Sequence, residues 1–242
     1  LLNKAREEGI NITADVYPYE AWSSSITTLY PERNFDDLEE ADYILKNLSP
    51  AEDIRFSYHA IHPGYVRKTV AEIAIEKNMS QVEMLSSLSS ESYELSQSDS
   101  SIEIVIAKGM IDDDVRQLLN WPYSTVCSDG ELRCGHPRGC GTFSKVINEY
   151  QGVNGLGSLQ RVIHKMTGLS ADQIGIKDRG VIQKGAFADF ILFDPQTMKD
   201  HSTFTNPALK SEGVHSVWIN GIRVLDNGVH TNKLPGKILI KN

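Results

Sequence analysis

The chain has 242 residues, with 24 Lys and Arg against 32 Asp and Glu, a formal charge of −8. Without a basic run, that balance excludes nucleic acid or an anionic membrane as the main partner, because both call for clustered Lys and Arg. Forty per cent of the residues are apolar, yet no uninterrupted stretch nears the ~20 residues of a membrane helix, and three Cys, an odd number, suit a reducing cytoplasm better than a disulfide framework.

Leu1 to Gly9 reads as the last turns of a helix closed by a C-terminal glycine, followed by a strand from Ile10 to Tyr17 ended by Pro18. Apolar spacing from Phe35 to Leu48 predicts an amphipathic helix, and Ile54–Ala60 a strand. Thr69-Val70-Ala71-Glu72 and Ser80-Gln81-Val82-Glu83 are two capping boxes, each opening a helix. The serine-rich stretch Ser86–Ser101 grades from helix into loop.

Ile102–Ala107 predicts a strand, Asp112–Asn120 a helix with Val115, Leu118 and Leu119 inward, and Tyr123–Cys127 a strand, an alternation that suggests parallel pairing. Helices are expected at Thr142–Tyr150, Ser158–Thr167 and from Ser170. After Gly180 the period becomes that of strands, at Phe187–Phe193, Val214–Ile219, Ile222–Leu225 and Ile238–Ile240, with a type I′ hairpin signal at Asn220-Gly221. The reading is thus an α/β chain with an antiparallel sheet at its end.

The densest polar segment runs from Cys127 to Phe143, at the C-terminal end of an expected parallel strand, where α/β folds assemble active sites. Asp129, followed by a turn-forming glycine, suits a metal ligand or a general base; its alternative is a plain Asp-Gly turn. Arg138 suits a bidentate clamp on a carboxylate; its alternative is a surface ion pair with Glu131. His136 is a ligand or a loop anchor. Cys127, Cys134 and Cys140 are spaced too widely for a zinc knuckle, and His59 and His62 read as structural. Ser23, Ser24 and Ser25 offer hydroxyls at another strand end.

In order along the chain stand Asp15-Val16-Tyr17-Pro18-Tyr19, Ser128-Asp129-Gly130, His136-Pro137-Arg138 and Gly141-Thr142-Phe143, followed by Gly185-Ala186-Phe187-Ala188-Asp189 and Val217-Trp218-Ile219-Asn220-Gly221. Together they resemble the amidohydrolase superfamily, and within it the N-acyl-D-amino-acid deacylases. The resemblance implies the C-terminal part of a metal-dependent (β/α)₈ barrel over residues 1–180, with an α+β insertion at about 35–106, and a β-sandwich portion over 181–242. It implies that Asp129 ligates zinc and moves a proton between metal-activated water and the leaving amine. Arg138, Tyr17 and Ser23 would hold a small N-acyl amino acid by its carboxylate.

The family's other metal-binding residues would precede Leu1, so zinc is expected in an intact parent and not in this chain alone. Two consequences are expected: the chain by itself is inactive, and its open sheet edge favours self-association. Two other readings compete, a non-catalytic remnant or assembly module without metal and a cyclic-amide amidohydrolase such as a hydantoinase. Arg138 weighs against the latter, since it suits an open-chain carboxylate.

Overall fold

A computed structural model of the chain describes residues 1–97, 102–131, 135–152 and 155–239. Its first elements are α1 (Leu2–Glu7), β1 (Ala14–Val16), β2 (Ala21–Ser24), α2 (Leu38–Asn47), β3 (Ile54–His59), α3 (Val70–Lys77), α4 (Gln81–Ser96) and β4 (Glu103–Lys108). Then follow α5 (Asp112–Asn120), β5 (Ser124–Val126), α6 (Arg138–Glu149), α7 (Leu159–Met166) and α8 (Gly168–Ile174), and last β6 (Phe190–Phe193), β7 (Val214–Ile219), β8 (Ile222–Asp226) and β9 (Val229–His230). The fold is α/β, and no helix among the described residues is long and apolar enough to cross a membrane. The chain divides into two units, Tyr19–Asp112, and Leu1–Pro18 with Asp113–Asn242.

In the unit Tyr19–Asp112, β2, β4 and β3 form an antiparallel sheet in that order, with Ser23 opposite Ile106 and Phe56 opposite Val105. Both capping boxes close: Thr69 and Ser80 accept from the third helical amide, and Glu72 and Glu83 reach back to the cap amide. Helix α4 continues to Ser96 through the serine-rich stretch, burying Ser89 and Ser92 beside Met84, Leu85 and Leu88. One core joins helices to sheet through Ile26, Tyr30, Ile44, Ile54, Phe56, Ile73, Leu85 and Val105. Within this unit Glu103 is buried and accepts from Ser25 Oγ at 2.7 Å and the Ile26 N–H at 3.1 Å. Burial pushes its carboxyl above the usual range, against the opposing pull of those two bonds.

The alternation of β4, α5 and β5 suggested that the two strands pair in parallel; they do not. β4 is antiparallel to β2 and β3, whereas β5 is parallel to β1, with Asp15 opposite Thr125 and Val16 opposite Val126. Pattern alone marks a strand's existence and not its partner, which is chosen by burial and chain connection. Helix α1 is fixed to this parallel pair by polar contacts: Trp121 Nε1 donates to Asn3 Oδ1 at 2.7 Å, and Arg6 donates to the Ile12 carbonyl at 2.6 Å while lying over the Tyr123 ring.

Helix α7 packs on β5 and α6; Val162 is buried, as are Val115, Leu119, Val146 and Ile147 of the same unit. Leu118, read as inward, is exposed. Strands β6, β7, β8 and β9 form an antiparallel sheet, and Asn220 and Gly221 take the positive φ of 50° and 78° that a type I′ turn requires. Ile238 and Leu239, expected in a strand, lie outside any, and Ile240 is outside the described residues. The last strand is instead β9, after the Asn227-Gly228 turn.

Candidate active site

Strand β5 carries the site, and both of its ends are held. At its start the Lys165 ammonium, from α7, donates to the carbonyls of Trp121 at 2.6 Å and Ser124 at 2.8 Å and to Ser124 Oγ at 3.1 Å. Burial lowers the Lys165 pKa to about 8, with Arg161 adding repulsion. Toward its end, Thr125 Oγ1 donates to Asp15, and the Cys127 N–H donates to the Val16 carbonyl at 3.1 Å. The strand therefore delivers Ser128-Asp129-Gly130 at its C-terminal end, in register with Tyr17 after β1.

The backbone there turns sharply. Asp129 has φ 45°, in the left-handed region that Asp tolerates better than most residues. Gly130 comes so near the next helix that a Cβ on it would lie 2.6 Å from Gly139 Cα. Helix α6 starts at Arg138, about a turn before the expected Thr142. Two features explain the early start: Pro137 at the N-cap has the φ of −58° that a helix entrance needs, and Gly141 leaves room for the Asp200 carboxylate, which a Cβ would overlap.

Helix entrance leaves N–H groups without intrahelical acceptors, and here each of the first is served. The Arg138 N–H donates to His136 Nδ1 at 3.0 Å. The Gly139 N–H donates to the His136 carbonyl at 3.2 Å, and those of Cys140 and Gly141 to the Pro137 carbonyl at 3.1 and 2.9 Å. His136 is 2% exposed; its ring meets Phe204 edge-on at 5.4 Å and Tyr17 at 6.3 Å.

From this entrance the Arg138 side chain folds back over the loop. Its Nη2 lies 2.8 Å from Asp129 Oδ2, its Nε donates to the Asp129 carbonyl at 2.9 Å, and its guanidinium carbon sits 4.8 Å from the Tyr17 ring centre. The pair is lopsided: the Arg138 side chain is 10% exposed and that of Asp129 61%. The carboxylate is open to an incoming molecule, and the positive charge behind it is dry. Burial pushes the Tyr17 hydroxyl up, countered by Arg138, and likewise pushes up the Cys127 thiol, with Asp15 and Asp129 adding repulsion.

Three of the four residues singled out from sequence, Tyr17, Asp129 and Arg138, thus come together, and Arg138 is paired with Asp129 and not with Glu131. Ser23 belongs to the other unit, on β2. Among the described residues no group of three or more His, Cys, Asp or Glu is placed to hold a metal ion. Neither Cys127 nor Cys140 forms a disulfide, and Cys134 lies outside the described residues. His59 and His62 are held structurally: the His62 N–H meets His59 Nδ1 at 3.2 Å, and His62 Nε2 meets Glu91 at 2.8 Å.

A segment with no sequence signal also braces the site. Asp200 accepts from the Ser202 N–H at 2.8 Å, and Ser202 Oγ lies within hydrogen-bond distance of both Asp200, at 2.6 Å, and the Pro137 carbonyl, at 3.1 Å. It is a loop between strands whose relevance exists only in three dimensions.

The model of the amidohydrolase family matches residues 108–225, which include β5, the Asp129 turn and α6. An N-acyl-D-glutamate deacylase from Alcaligenes xylosoxydans xylosoxydans is 31% identical over 240 residues, 98% of this chain and 43% of the relative. The chain is similar to the amidohydrolase family. A second relative from the same organism, an N-acyl-D-aspartate deacylase, is 41% identical over 128 residues, 52% of this chain and 26% of the relative. Among solved amidohydrolases, a D-aminoacylase superposes with a TM-score of 0.75 at 28% identity, covering 96% of this chain and 43% of that one. The N-acyl-D-glutamate deacylase of Bordetella bronchiseptica, solved with zinc and a phosphonate that mimics the tetrahedral intermediate, gives 0.72 at 29% identity, covering 92% and 41%. The chain spans only 26% to 43% of the length of the curated relatives it matches.

Proposed function

We propose that the protein containing this chain hydrolyses the amide bond of N-acyl-D-amino acids. The observation that carries the proposal is the Arg138–Asp129 pair beside Tyr17, at the C-terminal end of a parallel strand. Support comes from relatives named as deacylases of N-acyl-D-aspartate and N-acyl-D-glutamate. In the finer reading of the fold, β1 and β5 are two strands of a (β/α)₈ barrel and β6 to β9 belong to a β-sandwich.

In this reading the Arg138 fork receives the substrate carboxylate and Tyr17 forms one wall beside it. Asp129, released from the fork, accepts a proton as water adds to the acyl carbonyl. It returns that proton to the nitrogen as the C–N bond breaks, giving a carboxylic acid and a free D-amino acid. Zinc or a similar metal, present in the related structures, supplies Lewis acidity and a more acidic water when bound. The described residues contribute Asp129 toward it, short of the roughly three protein ligands that a catalytic zinc needs. The 242-residue chain alone is therefore inactive in this proposal.

The test is an assay of the native gene product on N-acetyl-D- and N-acetyl-L-amino acids and on a cyclic imide, beside the isolated 242-residue chain. Chelator-sensitive release of the D-amino acid by the native product, with none from the isolated chain plus zinc, is the expected result. Turnover of the imide in preference to the D-substrate overturns it, as does hydrolysis by the isolated chain for the inactivity.

A further inference from the structure

The proposed reaction assigns work to Asp129, Arg138 and Tyr17, and none to the buried imidazole between two of them. His136 meets the Tyr17 ring and the Arg138 backbone. Pro137 stands at the N-cap of α6 and has no side-chain acceptor for a helix amide. The cap is supplied from one residue further back, by His136 Nδ1, which accepts the Arg138 N–H at 3.0 Å. An accepting Nδ1 leaves the proton of a neutral imidazole on Nε2. Phe204 and Tyr17 contact the ring, so the backbone of Arg138 is tied to a side chain that is itself confined.

We propose that His136 is a positioning residue that sets where the Arg138 guanidinium stands, and so determines the preference for substrates bearing a free carboxylate. This rests on the reading of Arg138 as the carboxylate clamp. Bidentate recognition is demanding in geometry, and a shift of about 1 Å in a clamp is enough for a large loss. Rotating the first residue of α6 would swing the guanidinium off both Asp129 and the Tyr17 face. No proton transfer by His136 is involved.

Three substitutions separate the Nδ1 bond from bulk and shape. His136→Asn puts its Oδ1 near the place of Nδ1 and restores an acceptor, His136→Gln carries its acceptor out to the place of Nε2, and His136→Phe keeps the ring and loses both nitrogens. Each is compared in the native gene product by KM and kcat for an N-acetyl-D-amino acid and for its primary carboxamide, which lacks the charge that Arg138 would hold.

The expected result is that His136→Gln and His136→Phe raise KM for the acid by about tenfold or more with little change for the carboxamide, while His136→Asn stays near the parent. A Gln or Phe variant that keeps the parent preference overturns the proposal, as does an Asn variant that loses it as fully as Phe. Should the Phe variant fail to fold, the Asn and Gln pair decides alone. A parent protein that hydrolyses D-substrates without preferring the acid overturns the Arg138 reading itself, and this proposal with it. That outcome is visible before any variant is made.

Discussion

Arg138 holds Asp129 twice, by Nη2 to the carboxylate and by Nε to the same residue's carbonyl, at 2.8 and 2.9 Å. One guanidinium therefore fixes both the backbone and the side chain of the residue read as the proton carrier, and a substrate carboxylate entering the fork competes with the bond to the Asp129 carboxylate.

The two partners are expected to fail differently. In the native gene product Asp129→Asn should lower kcat by about 10² to 10⁴ with a smaller effect on KM, since the amide cannot accept the proton. Arg138→Lys should mainly raise KM, because a single ammonium replaces a planar fork. Steady-state kinetics on one N-acetyl-D-amino acid check both, and equal effects on kcat from the two variants would contradict the division of roles.

Lys165 makes stability depend on alkaline pH. Its pKa in the folded chain is about 8, against an ordinary 10.5. Between those values the unfolded chain binds a proton that the native state has lost, so stability rises as pH goes from 8 to 10.5. Urea melts of the parent and of Lys165→Met across that range should show the rise in the parent and a flatter line in the variant. The variant should also be less stable throughout, with the Trp121 and Ser124 carbonyls left without their donor.

His59 acts on the acid side. Burial and the neighbouring His62 hold its pKa below the ordinary 6.5, against a smaller opposing pull from Glu91. As pH falls below 6.5 the unfolded chain takes up the proton first, so the stability present above that value is lost toward the lower native pKa. His59→Phe should flatten the acid limb of the stability profile, and an unchanged limb would assign it to carboxylates.

Gly141 tests the brace behind α6. Its missing Cβ makes room for the Asp200 carboxylate, which the Ser202 N–H and hydroxyl hold in place. Gly141→Ala should cost about 1–3 kcal/mol despite the better helix propensity of alanine. Coupling it with Asp200→Ala, which vacates the space, should return most of that loss, and thermal melts of the single and double variants give the comparison.

Local rules were legible in the sequence where neighbours in the chain satisfy one another. Thr69 with Glu72, Ser80 with Glu83 and Asn220 with Gly221 each complete their geometry within a few residues, and all formed. Asp129 and Arg138 stand out in the sequence because strand, turn and motif follow in order, and the structure brings the two side chains together. The start of α6 was not: Gly139 and Gly141 argue for loop by propensity, and only Asp200, far along the chain, explains why glycine is needed inside a helix. The partner of β5 was equally hidden, since hydrophobic pattern says that a strand is buried and not which strand lies beside it.

Asp129 stands at φ 45°, where glycine is the more comfortable occupant by roughly 1 kcal/mol. Replacing Asp129 by Gly would relieve that cost and yet leave the nearly buried Arg138 guanidinium without its carboxylate, a larger loss than the gain, so the unfavourable backbone angle is held in place by the ion pair that it serves.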